Sequence, residues 1–127
     1  MVYVMDTHVL IWYFIGSKRL KRELKEKIEG IRNEGGRLLV LTIVLAEALA
    51  IAEKGKVEFD FQNMYQLIKN EPEFEIISFT PEILEEVMRT KIPEIHDRII
   101  VATARFYKAG ILTKDRIIFD SGEVEMI

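Results

Sequence analysis

Four acidic side chains, Asp6, Glu47, Asp97 and Asp115, each lie at the end of an apolar run or just inside one. Asp6 ends MVYVMD, Glu47 interrupts LLVLTIVLAEALAIA, Asp97 opens DRIIVATA and Asp115 closes ILTKD. A lone carboxylate beside a core is costly, because desolvation opposes its charged form. Four of them gathered on one edge would also repel one another. A divalent cation bound among them would offset both costs. Oxygen donors in a chain without cysteine select a hard ion, Mg²⁺ or Mn²⁺, over zinc. Such an ion lowers the pKa of a bound water and stabilises charge growing on a phosphate. Phosphodiester hydrolysis is the reaction class that fits.

Taken singly, most of these residues have ordinary explanations. Asp6 and Asp97 stand where helix N-caps stand, and Asp115 could be a turn residue. Glu47 is harder to explain that way. Ile43 and Ile51 lie four residues to either side of it and share its helix face, and no basic residue stands within one turn. Thr113 precedes Asp115 by two residues, so in a strand both face the same side. Its hydroxyl could orient Asp6 or a metal-bound water, although strand packing alone would also explain a threonine. Thr7 reads as a cap. His8 and His96 fall near the same rim and read as structural, and Arg98 reads as half of an ion pair. The basic residues from Lys18 to Lys27 are interleaved with Glu23 and Glu26, which favours a solvated face over an RNA contact.

The elements that would position these groups alternate. Val2 to Met5, Arg37 to Leu41, Glu75 to Phe79 and Ile111 to Thr113 read as buried strands, with Val124 to Ile127 a candidate fifth. Helices are expected over His8 to Ile15, Lys18 to Glu34, Thr42 to Lys54 with Thr42 as cap, Phe59 to Lys69, Pro81 to Lys91 and His96 to Lys108. Gly110 is expected to end the last of these. Strands that are apolar throughout and alternate with helices predict a parallel sheet covered on both faces. Sites in such folds form at the carboxyl ends of the strands. Asp6 and Asp115 end strands, and Asp97 and Glu47 lie early in helices, so all four can meet on one rim.

Composition bounds the rest. A chain of 127 residues fits a single domain, here 1–127, and can bury roughly two thirds of its unfolded surface. Apolar residues make up 49%, which excludes a disordered chain, and a net charge of −3 gives no global signature of nucleic-acid binding. The absence of cysteine rules out disulfides and thiolate chemistry and suits a cytoplasmic protein. The apolar start is short, carries Asp6 and lacks a basic leader, so it reads as a strand and not as a secretion signal. The longest apolar stretch, Leu38 to Ala52, is too short to span a bilayer.

MVYVMDTHVLIWYF, IVLAEALAIAEKGK, IHDRIIVATA and LTKDRII together resemble the PIN-domain ribonucleases, in particular the VapC-type toxins of toxin–antitoxin pairs. The resemblance implies a three-layer α/β/α sandwich around a parallel sheet of four or five strands. It matches Asp6, Glu47, Asp97 and Asp115 to the family's metal-binding acids and Thr113 to its accessory hydroxyl. It further implies a Mg²⁺- or Mn²⁺-dependent endoribonuclease acting on RNA, commonly a homodimer, neutralised by a small antitoxin. Asp120 has no secure match. The alternatives are a PIN-fold RNA-processing nuclease without an antitoxin, and a non-catalytic nucleic-acid-binding or signalling module. A receiver domain would need a doubled acid after the first strand, and a haloacid-dehalogenase-type phosphatase would need aspartate where His8 stands.

Overall fold

Runs rich in β-branched and aliphatic residues form the centre of the molecule. The computed structural model describes residues 1–114, 117–120 and 124–126. Its four parallel strands are β1 (Val2–Met5), β2 (Arg37–Leu41), β3 (Phe74–Ile77) and β4 (Gly110–Leu112). Successive side chains of a strand point to opposite faces. Tyr3, Val4 and Met5 are nonetheless all buried, as are Leu38 through Leu41, so both faces of the sheet are covered. Among the described residues the cover is six helices: α1 (Thr7–Ile15), α2 (Arg22–Asn33), α3 (Thr42–Lys54), α4 (Phe61–Asn70), α5 (Pro81–Arg89) and α6 (Ile95–Tyr107). The result is the α/β/α sandwich that the sequence implied. Leu24, Ile28 and Ile31 show how a helix joins it: their spacing puts all three on one buried face of α2. Each such burial contributes about 1.5–3 kcal/mol relative to exposure.

Strand order is β3-β2-β1-β4, followed by β5 (Ile117–Asp120) and β6 (Val124–Met126). These last two run antiparallel, with Leu112 opposite Ile117 and Ile118 opposite Met126. The candidate strand at Val124 is therefore the sixth, and the strand at 117–120 was not anticipated. Winding proceeds from β1 through β2 to β3 on one side, then crosses back to place β4 on the other. The direction reverses between β1 and β4, and the Asp6 amide donates to the Leu112 carbonyl across that junction at 3.0 Å. Ligands bind outside the carboxyl ends of strands at such a reversal.

Several boundaries differ from those read in the sequence. α2 starts at Arg22 and not at Lys18, because Ser17 forms a local turn: its hydroxyl accepts from the Arg19 amide at 3.1 Å and its carbonyl from the Leu20 amide. Thr42 is the first helical residue of α3, with Leu41 in the capping position. Asp60 caps α4 through the Asn63 amide, which moves that helix start to Phe61. α5 does begin after Thr80, whose hydroxyl accepts from the Ile83 amide. Its end comes earlier than expected, at Arg89. At the end of α6 it is Lys108 that adopts the left-handed conformation, at φ 53°, while Gly110 opens β4.

Candidate active site

Asp6 follows β1 and caps α1, its Oδ1 accepting from the Thr7 amide at 2.6 Å. The cap reading of this residue is thus correct, but capping does not exhaust the carboxylate. His96 Nε2, in the first turn of α6, lies 3.2 Å from the same Oδ1. It also lies 3.5 Å from Glu47 Oε1, which α3 presents from between the half-buried Ile43 and Ile51. Thr7, fully buried, donates its hydroxyl to Glu47 Oε1. Three elements distant in sequence therefore deliver Asp6, Glu47 and His96 to one point at the reversal of the sheet. Glu47's partners come from other elements, which is why none is visible within a turn of it in the sequence.

The electrostatics follow from this contact set. Burial opposes ionisation of Asp6. The hydrogen bond with His96, the Thr7 amide and the charges of His96 and His8 outweigh it, and the carboxyl is held below its usual range. For His96 the bond to Asp6 is the largest influence. With the charges of Glu47, Asp6 and Glu94 it outweighs burial and raises the imidazole above its ordinary value. When protonated, the imidazole places positive charge within reach of both carboxylates.

Asp97 is exposed in the first turn of α6, one residue beyond His96. It is not the helix cap. Glu94 takes that role, accepting from the His96 and Asp97 amides at 2.9 and 2.8 Å, and these two bonds lower its own pKa. The Asp97 carboxylate makes no hydrogen bond or ion pair among the described residues. Thr113 follows β4 directly and is half-buried. Asp115 lies outside the described residues. Among those described, no three His, Asp or Glu side chains are close enough together to hold a metal ion. Yet the two carboxylates that share His96 are of the oxygen-donor type that a hard divalent cation takes. Arg98, read as half of an ion pair, instead donates to the Val87 carbonyl at 2.9 Å.

His96 and Thr7 are the residues whose part the sequence reading underrated. A histidine directly before a candidate metal-binding aspartate was the available signal for the first. A threonine directly after another was the signal for the second. His8 is exposed and packs against Trp12, with ring centroids 5.6 Å apart.

Away from this site, Trp12, Tyr13 and Phe14 are only partly buried. With Leu20, Arg32 and Leu67 they line a cavity of about 330 Å³. Arg32 is fixed there by Tyr13 at 2.8 Å and Glu73 at 2.9 Å. No helix among the described residues is long and apolar enough to cross a membrane.

Residues 3–122 match the family model described as PIN domain. No curated protein matches the chain. Among solved structures, VapBC2 from Rickettsia felis bound to a DNA fragment from their promoter is similar over 87% of this chain and 86% of that one. Its TM-score is 0.67 and its identity 18%. A toxin–antitoxin complex from Klebsiella pneumoniae covers 86% of this chain and 82% of its own, with a TM-score of 0.54 and 20% identity. Likeness at these identities shows the fold.

Proposed function

The chain belongs to the PIN-domain family, and from that premise we propose that it is a Mg²⁺- or Mn²⁺-dependent endoribonuclease, the toxin of a toxin–antitoxin pair. The observation that carries the reading is the meeting of Asp6 and Glu47 across one imidazole at the reversal of the sheet. A fold has no structural need to bring two acids and a histidine from three elements to a strand edge. A metal-dependent hydrolase does.

Asp6, Glu47, Asp97 and Asp115 are the residues that would hold the ion, with Thr113 orienting one of them or a bound water. When bound, the cation would lower the pKa of a water and neutralise charge on the phosphate. The chain prepares its donors without it. Asp6 is kept ionised by His96 and by the Thr7 amide. Glu94 ties down the first turn of α6, which leaves the Asp97 carboxylate uncommitted. His96 Nε2 stands within 3.2 Å of Asp6 Oδ1 and 3.5 Å of Glu47 Oε1.

An antitoxin partner is supported by the Klebsiella pneumoniae structure, solved as a toxin–antitoxin complex. The cavity beside Trp12, Tyr13 and Phe14, lined also by the charged Lys25, Glu29, Arg32 and Glu71, offers a seat for a partner segment. A homodimer would have the exposed Leu84, Met88 and Ile95 to bury. A cytoplasmic location suits a cysteine-free chain acting on RNA.

The test is cleavage of a defined single-stranded RNA by the full chain in Mg²⁺, Mn²⁺ or EDTA. Cleavage in either metal, abolished by EDTA and by Asp6→Asn, is the expected result. Cleavage that persists in EDTA refutes the metal dependence, and no cleavage under any condition refutes the nuclease reading. Growth arrest on expression, relieved by a small co-expressed neighbouring gene product, tests the toxin reading separately.

A further inference from the structure

Three threonines are fully buried: Thr7, Thr90 and Thr103. A buried hydroxyl needs an acceptor, and within a helix the nearest is the carbonyl four residues back. Thr90 uses Glu86 O and Thr103 uses Ile99 O, each at 2.8 Å. Thr7 does otherwise. It is the first residue of α1, so the residue four back, Tyr3, belongs to β1 and offers no helical carbonyl. Its hydroxyl reaches α3 and donates to Glu47 Oε1.

We propose that Thr7 is a positioning residue of the candidate nuclease site, whose buried hydroxyl holds the Glu47 carboxylate beside Asp6; this rests on the metal-dependent reading above. Glu47 needs such a hold. Its side chain is 41% exposed and has three free torsions, and fixing so long a side chain has an entropic cost. Thr7 has the opposite character. It is β-branched and fully buried, so its own rotamer is set by packing. The adjacent backbone is tied down as well, since the Thr7 amide donates to Asp6 Oδ1. One residue therefore addresses both carboxylates, Asp6 through its amide and Glu47 through its hydroxyl. His96 also approaches Oε1, and no hydrogen bond among the described residues takes Glu47 Oε2. That oxygen is left for a ligand.

The test compares Thr7→Val, which keeps the shape and removes the hydroxyl, with Thr7→Ser, which keeps the hydroxyl. Mn²⁺ binding to the full chain is measured by electron paramagnetic resonance of the free ion, alongside thermal melting. Thr7→Val is expected to weaken Mn²⁺ binding about tenfold, as loss of one hydrogen bond to a charged group would. Thr7→Ser should stay within about twofold of wild type. In a Glu47→Gln background the effect of Thr7→Val should vanish, because Thr7 acts through that carboxylate. If Thr7→Val does not fold, Thr7→Ala in both backgrounds gives the same comparison. Equal Mn²⁺ affinity in wild type and the hydroxyl-less variants overturns the positioning role and leaves the nuclease reading intact. The same loss with and without the Glu47 carboxylate also overturns it. No Mn²⁺ binding by wild type overturns both.

Discussion

Asp6→Asn in the metal-free protein separates the two tasks of that side chain. Asparagine caps a helix about as well as aspartate, so the bond to the Thr7 amide survives at a cost of a few tenths of a kcal/mol. The negative charge facing His96 does not survive. The pair is 3.2 Å apart, with side chains 24% and 15% exposed. A hydrogen bond to a charged group contributes about 1.5–3 kcal/mol. Partial solvent access and the remaining attraction of Glu47 for His96 reduce the net loss to about 1 kcal/mol. In a chain of this size that is a fall in Tm of about 4 °C. The loss depends on pH, and its sign follows from both partners. His96 has a raised folded pKa, so its contribution is complete below the unfolded value of 6.5 and disappears as pH rises through the folded one. Asp6 has a depressed pKa, so its contribution is present above 3.8 and is lost as pH falls through the folded value. The variant should therefore melt below wild type at about pH 5.5. At about pH 9 the deficit should be smaller, since the imidazole loses its charge as pH rises through its raised folded pKa. Circular dichroism melts in EDTA at the two pH values read this directly. An equal deficit at both would mean that Asp6 acts through its backbone cap alone. No deficit at pH 5.5 would refute the pairing with His96.

Added Mn²⁺ should raise the wild-type Tm, by about 2.7 kcal/mol of stability at one hundred times its Kd, and the rise should be smaller but still measurable in Asp6→Asn and Glu47→Gln. Calorimetric melts at several Mn²⁺ concentrations check it. Asp97→Asn should abolish RNA cleavage with little change in Tm, because its carboxylate makes no hydrogen bond or ion pair among the described residues. Glu94→Ala should lower Tm, because it leaves the His96 and Asp97 amides uncapped. Parallel melting and cleavage assays on these two variants separate a ligand from a cap.

The parallel core was legible because its strands are short apolar runs, and following the first of them leads to Asp6 on the carboxyl edge, whereas Asp115 lies outside the described residues. The topology then brings the edge at Asp6 to the end of β4 by pairing Met5 with Leu112. What the sequence did not carry was set by competing local contacts. Ser17 diverts the start of α2 into a turn. Lys108 terminates α6 in place of a glycine two residues on. The antiparallel strand at 117–120 is four residues long and begins four residues past the end of a predicted one, with too little length for a pattern of its own. His96 read as structural because nothing in a lone histidine says which side chains will face it. That depends on where α6 crosses the ends of β1 and α3. The partner of Glu47 was invisible for the same reason, since Thr7 lies next to it only in space.

Whether Asp6 and Glu47 jointly bind a divalent cation is decided most directly by anomalous diffraction from a crystal of the full chain grown with Mn²⁺. The expected result is an anomalous peak within bonding distance of both carboxylates, with His96 Nε2 no longer between them. Mn²⁺ bound elsewhere, or full occupancy of Mn²⁺ in solution with His96 still bridging Asp6 and Glu47 in the crystal, would contradict it.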